Sequence, residues 1–356
     1  MLLRRKTKKV KIGQIAIGGK EPIRIQSMTN TLTSDVRATV KQIKNLEKAG
    51  CELVRVAIPD KASAMAISRI KPKINIPIIA DIHFDYKLAV MACRNQADKI
   101  RINPGNIKPK GLLEIIAAAK HSNIPIRIGV NSGSIETDIL KKFKKPKARA
   151  LVASAKRQID FFQQRGFSNL VISVKHSDVI ETVKANEQIS KFVDYPLHLG
   201  VTEAGFGSSG LIKSALAFGV LLYQGIGDTI RVSLSQDPKK EIEAGRKMLS
   251  FLGLRKAGVE IISCPTCART CIDVEQLAKE LERSTKNMKK QIKVAVMGCL
   301  VNGPGEAKQA DFGVSGMDSK NKELMYFEKG KVKKKITCSE AKKFLIKKIE
   351  TYRCTK

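Results

Sequence analysis

The first 250 residues of this chain repeat one unit eight times: a short β-branched run, a polar or glycine-containing turn, then a segment with helical apolar spacing. The runs fall at residues 23–28, 52–58, 76–82, 99–103, 125–130, 170–175, 197–202 and 229–234. Helical segments such as 34–50 and 237–250 follow them, the latter opening with Asp237 as N-cap and Pro238 at the first helical position. Strand–helix alternation demands parallel strands and right-handed crossovers, so the pattern predicts an α/β fold, a closed (β/α)8 TIM-type barrel, with an open doubly wound sheet as runner-up. The two differ in where polar residues fall. A barrel spreads its chemistry over the C-terminal ends of many strands, whereas an open sheet concentrates it at one switch point.

Here the polar residues fall on nearly every strand. Arg55 lies in the second run, Asp81 and His83 close the third, and Arg101 and Asn103 close the fourth. The fifth brings Arg127 and, just past it, Asn131; the sixth ends with Lys175, Glu203 follows the seventh, and the eighth carries Arg231 and Ser233. Four arginines and a lysine converging on one mouth are hard to bury without an anion, which predicts a substrate carrying several negative charges. After the seventh strand, GFGSSG (205–210) matches G-x-G-x-x-G, a weak dinucleotide signature; in a barrel that loop can offer backbone N–H groups to a phosphate. Taken singly, an arginine at a strand end more often makes a structural ion pair and a lone histidine is more often structural. Repetition around the barrel shifts the reading toward a site. Lys175 also permits a Schiff base, as in barrel aldolases, but that chemistry leaves the cysteines unexplained.

A net charge of +33 brings nucleic acid to mind. With 5% aromatic residues, no Trp and lysine dominating the cations, the composition is poor for base stacking or bidentate readout, and no specific nucleic-acid partner is expected. Runs such as KKFKKPK (141–147) and KGKVKKK (329–335) read as solvated surface, with attraction of an anionic substrate or an acidic protein as the functional alternative. Eight cysteines without a secretory leader point to reduced thiols and a cytoplasmic location, and no run is long and apolar enough to span a membrane.

Past residue 254 the alternation stops, which divides the chain into a substrate-binding barrel over residues 1–254 and a smaller α+β domain over residues 255–356. The second domain is expected to contain a strand at VEIIS, a helix around 273–288, a strand at KVAVMG, a hairpin-like LMYFEKGK and a final helix near 338–350. It also carries CPTCARTC (264–271), with Cys264, Cys267 and Cys271, and then MGCLVNGPGEA (297–307), with Cys299 and Glu306. Pro304 and Gly305 suit the centre of a type II turn that would double the chain back toward Cys299. The spacing admits metal, a structural four-cysteine zinc or a C-x2-C redox pair; the second knuckle usual for zinc is absent.

Taken together, CPTC, MGCLVNGPGEA, TEAG (202–205), GIGDTIRVSL (225–234) and RINPGNI (101–107) closely resemble the bacterial 4-hydroxy-3-methylbut-2-enyl diphosphate synthase family of the non-mevalonate isoprenoid pathway, over nearly the whole chain. The resemblance implies a [4Fe–4S] cluster held by Cys264, Cys267, Cys299 and Glu306, with Cys271 a bystander. Cys51, Cys93, Cys338 and Cys354 match no ligand position. It implies reductive opening of 2-C-methyl-D-erythritol 2,4-cyclodiphosphate with loss of water, by two electrons passed singly through the cluster.

Arg55, Asp81, His83, Arg101, Asn103, Arg127, Asn131, Lys175, Arg231 and Ser233 would then hold the cyclic diphosphate, and Glu203 would transfer a proton. A carboxylate suits cluster iron less well than thiolate, so Glu306 is expected to leave and free one iron. Ferredoxin, flavodoxin or a pyridine-nucleotide-linked reductase would supply electrons. A homodimer is also implied, one subunit's cluster serving the other's barrel. The alternatives are a non-redox barrel lyase on a phosphorylated substrate with a structural zinc, and a zinc-containing nucleic-acid binder.

Overall fold

The computed structural model describes residues 3–145, 147–256, 258–286, 288, 290–301, 305–318 and 323–352. Pro304, the first centre of the expected turn, and Cys354 lie outside them. The chain divides into two compact units, Met1–Arg255 and Lys256–Lys356.

The first unit opens with an antiparallel hairpin, β1 (Val10–Ile12) and β2 (Ile15–Ile17), that the sequence reading had not anticipated. Eight parallel strands follow: β3 (Arg24–Met28), β4 (Leu53–Ala57), β5 (Ile78–Ile82), β6 (Lys99–Ile102), β7 (Ile126–Asn131), β8 (Leu170–Lys175), β9 (His198–Leu199) and β10 (Thr229–Ile230). Their order is β8-β7-β6-β5-β4-β3-β10-β9, and a parallel bridge between Ile172 and Leu197 joins the two ends of that row. This is the TIM-type barrel, not the open sheet. The last two strands are shorter than expected, with only two residues each in the ladder.

Helices α1 (Val36–Ala49), α2 (Lys61–Ile70), α3 (Tyr86–Arg94), α4 (Pro109–His121), α5 (Thr137–Phe143), α6 (Ala148–Gln163), α7 (Val179–Phe192), α8 (Gly207–Tyr223) and α9 (Pro238–Phe251) return the chain between strands. Five of them start at an aspartate, Asp35, Asp60, Asp85, Asp178 and Asp237, whose side chain accepts a first-turn N–H. Such caps are typically worth ~1 kcal/mol each and fix where each mouth loop ends.

Strand alternation sorts the side chains. Val54, Val56, Ile78, Ile100, Ile126 and Ile128 pack outward in one core with Ile43, Ile67 and Ile115 of the helices. Leu53, Ile79 and Val171 point the other way and form a second cluster with Val10, Ile12 and Ile17 of the hairpin. The hairpin thus plugs the floor of the barrel, each of its three buried side chains contributing roughly 1.5–3 kcal/mol.

The second unit is a five-stranded sheet in the order β11 (Val259–Ser263), β12 (Ile292–Met297), β13 (Phe312–Asp318), β14 (Glu323–Glu328) and β15 (Lys331–Thr337). The first three strands are parallel and the last two antiparallel. Helices α10 (Val274–Thr285) and α11 (Cys338–Thr351) share its core through Leu281, Leu345 and Ile349. Strand β13 was not foreseen. Among the described residues no helix is long and apolar enough to cross a membrane.

Candidate active site

A cavity of about 210 Å³ opens at the C-terminal ends of the barrel strands, lined in part by Arg55, Asp81, His83, Arg101, Arg127, Asn131, Lys175, Glu203, Arg231 and Ser233. The sequence singled out every one of these. Asn103 does not line the cavity; it is buried behind it, its Oδ1 accepting from Arg101 Nη2 at 3.2 Å. None of residues 205–210 lines the cavity either, so the glycine-rich loop serves here to open α8 at Gly207.

Asp81 organises one side of the mouth. Its Oδ1 accepts from Arg101 Nη1 at 3.0 Å, and its Oδ2 lies 3.5 Å from Arg55 Nε and from His83 Nε2. Burial alone would raise its pKa, but Arg55, His83, Arg101 and Arg127 outweigh that and hold it well below the usual carboxylate range. His83 Nε2 stands 2.6 Å from Arg101 Nη1 as well as 3.5 Å from Asp81 Oδ2, so its tautomer decides which of the two it serves. Arg55 also places Nε and Nη2 3.1 and 3.0 Å from the Met28 sulfur.

Two glycines make room for these cations. A Cβ on Gly129 would stand 2.7 Å from Arg101 Nε, and one on Gly200 would stand 2.4 Å from Lys175 Nζ. Glu203, one of the lining residues, holds a left-handed backbone, φ 51°, which non-glycine residues rarely adopt.

Beneath the mouth lies a second polar layer, in which Arg127 is joined by three residues the sequence reading missed. Gln26, Lys99 and His198, like Arg127, point into the barrel and are almost fully buried. Arg127 Nη1 donates to Gln26 Oε1 at 3.2 Å, and His198 Nδ1 lies 2.8 Å from Thr229 Oγ1. Among the described residues, Lys99 Nζ, Arg127 Nε, Arg231 Nε and Gln26 Nε2 have no hydrogen-bond partner. Burial, reinforced by neighbouring positive charges, pushes Lys99, Lys175, His198 and Arg127 well below their ordinary pKa values. Arg231 falls to about 10 through burial and Arg55, partly restored by Glu241 and Asp81. Two buried carboxylates, Asp81 and Glu241, thus face three buried guanidinium groups and a fourth largely buried one. The mouth is built to receive negative charge.

In the second unit, Cys264 directly follows β11 and Gly298 and Cys299 directly follow β12, its parallel neighbour. The Cys264 sulfur accepts the Gly298 N–H at 3.1 Å, the type of bond that tunes a metal-bound thiolate. Cys299 is buried and Cys267 exposed. Cys271 is tied into the loop instead: its N–H donates to Gly298 O at 2.8 Å and its thiol to Arg269 O at 3.3 Å. Glu306 begins a short 3-10 turn, Glu306–Gln309, and its side chain lies outside the described residues. Soft donors gathered at the ends of adjacent strands fit iron or zinc in chemistry. Among the described residues, however, no three His, Cys, Asp or Glu side chains stand together around a single metal position.

The family model described as GcpE TIM-barrel domain matches residues 7–246, and that described as GcpE protein C-terminal domain matches residues 260–351. The chain belongs to the GcpE family. A relative in Caldanaerobacter subterraneus is 54% identical over 349 residues, covering 98% of both chains, and is named 4-hydroxy-3-methylbut-2-en-1-yl diphosphate synthase (flavodoxin). A Clostridium perfringens protein of the same name is 52% identical over 98% of this chain and 99% of its own. A Thermotoga maritima protein, again so named, is 49% identical over 97% and 96%. Among solved structures, dihydropteroate synthase from Stenotrophomonas maltophilia superposes with a TM-score of 0.53 at 13% identity, covering 69% of this chain and 97% of its own. That likeness shows the barrel fold alone.

Proposed function

We propose that this chain converts 2-C-methyl-D-erythritol 2,4-cyclodiphosphate to 4-hydroxy-3-methylbut-2-enyl diphosphate by reductive ring opening and dehydration, in the cytoplasm, with flavodoxin as electron donor. The observation that carries the reading is the excess of guanidinium groups over carboxylates around one cavity, which suits a cyclic diphosphate. Relatives near half identity over nearly the full length are named for this product and this donor.

In this reading Arg55, Arg101, Arg127 and Arg231 grip the phosphate oxygens, with Asn131 and Ser233 fixing orientation and Asn103 bracing Arg101 from behind. Asp81 and His83 hold Arg101 in place. Lys175, whose charged form burial and the neighbouring arginines disfavour, is the cation whose charge an anionic substrate would most favour. Glu203, on its strained backbone, gives a proton to the departing hydroxyl. Cys264, Cys267, Cys299 and Glu306 would hold a [4Fe–4S] cluster, which supplies electrons one at a time when bound.

The test is anaerobic purification, iron, sulfide and zinc analysis, and assay of the cyclic diphosphate with reduced flavodoxin. Iron and sulfide near four each per chain, with the linear diphosphate as product, are expected for a [4Fe–4S] cluster. Zinc without iron, and no reductive product, would favour the lyase alternative.

A homodimer in which one subunit's cysteines serve the other's barrel belongs to the same proposal. The outer face of α8 leaves Leu211, Ile212, Leu216, Val220 and Tyr223 exposed, an apolar stripe of the kind that associates with a second copy. Mixing tests the arrangement. A Glu203→Ala subunit and a Cys299→Ala subunit, allowed to exchange, should recover about a quarter of wild-type activity, because half the dimers are mixed and each has one intact pair of halves. Verified mixed dimers without activity would reject it.

A further inference from the structure

Glu241 is 3% exposed, yet it lies on α9, outside the strands, and does not line the cavity. The helix does not need its carboxylate, since Asp237 already caps the first turn through Lys239 N. Both carboxylate oxygens turn elsewhere. Oε1 accepts the Leu234 N–H at 2.9 Å; Oε2 accepts the Ser27 hydroxyl at 3.2 Å and stands 3.5 Å from Arg231 Nε. One side chain therefore ties together the end of β3, the loop after β10 and the Arg231 guanidinium.

From this geometry we infer that Glu241 is a positioning residue for anion binding, a role that rests on the phosphate reading of the mouth. Its Oε2 forms an ion pair with Nε at 3.5 Å without a hydrogen bond, and the two Nη groups of Arg231 have no carboxylate partner among the described residues. Among the described residues Nη1 meets only the Met28 sulfur, a weak acceptor, at 3.8 Å. A guanidinium drawn to one side by an ion pair at Nε loses less freedom when its other two nitrogens close on a phosphate. The bond to Leu234 N–H fixes the backbone beside Ser233, so two cavity residues take their places from one carboxylate.

Charge and positioning predict opposite signs, which makes the role testable. If Glu241 only cancelled positive charge, Glu241→Gln would bind anions more tightly. If it positions Arg231, the variant keeps an acceptor for Leu234 N–H but loses its hold on Nε. Inorganic pyrophosphate, titrated calorimetrically into the full-length holoenzyme, should then bind about tenfold more weakly, and substrate KM should rise by more than kcat falls.

Arg231→Lys keeps the charge without the fork, so it should lose a similar factor on its own; adding Glu241→Gln to it should cost less than twofold further. The lysine variant carries the test even where Glu241→Gln folds poorly. Pyrophosphate affinity equal to or above wild type in Glu241→Gln, wild-type affinity in Arg231→Lys, or full additivity of the two would overturn the inference. A wild-type enzyme that binds no pyrophosphate would instead overturn the phosphate reading itself, and this role with it.

Discussion

Asp81→Asn should cost the barrel roughly 3–5 kcal/mol and most of its activity, because it strands Arg55 and Arg101 as buried cations with no carboxylate between them. Asparagine keeps the shape and one acceptor, so the loss reports charge and not volume. Against the usual net stability of about 5–15 kcal/mol, a loss of that size should appear as a large drop in the urea midpoint. The pH dependence gives a second check. The folded pKa of Asp81 lies below its unfolded value, so its stabilisation is fully present above the unfolded value and is lost as pH falls through the folded one. The gap between wild type and variant should therefore stay constant from neutrality to about pH 5 and narrow only in stronger acid. Equal stability at neutral pH, or a gap that closes near pH 6, would show that Asp81 does not hold the arginines as described.

The barrel was legible because its parts repeat. Eight β-branched runs, each followed by a helical segment, leave one closed parallel topology once right-handed crossovers are imposed. The plug was not legible. Residues 10–17 place two short isoleucine-containing runs around Gly13 and Gln14 as a hairpin should, but they follow RRKTKK and nothing local says that Val10, Ile12 and Ile17 cover a barrel floor. Strand β13 was hidden by its glycines, which lower strand propensity. Gly313 and Gly316 are required there for close approach, a Cβ at Gly316 falling 2.3 Å from Gly298 O beside the cysteine loop.

Within the site, strand-end residues could be read and deeper ones could not. Arg55, Asp81, Arg101, Arg127 and Lys175 are polar side chains in apolar runs, a contrast visible in sequence. Lys99 begins its run and looks like a solvated flank, yet it is fully buried, because inward and outward positions at a strand's start cannot be told apart before the barrel closes. Alternation from Lys175 would have found Ser173, which also lines the cavity. Glu241 gave no signal, since an acid in a helix's first turn usually answers the helix dipole.

The sharpest contrast should come from the four cysteines at the ends of β11 and β12. Alanine at Cys264, Cys267 or Cys299 is expected to remove a cluster ligand, bleaching the brown chromophore of anaerobically purified protein and lowering activity at least a hundredfold. Cys271→Ala should keep colour, iron content and turnover. Its thiol is spent on Arg269 O, and the contact that places it, its own N–H to Gly298 O, survives any side-chain change. Alanine also keeps the Cβ that lies 3.2 Å from the position a Cβ on Gly316 would take, so the loop retains its packing. Cys264 differs from it in kind: its sulfur, the proposed ligand atom, receives a backbone N–H from the residue just before Cys299, which couples the two strand ends. Iron analysis and visible spectra on all four variants decide the matter without relying on turnover. Retained colour in Cys264→Ala together with its loss in Cys271→Ala would exchange their roles and place the metal centre deeper in the loop.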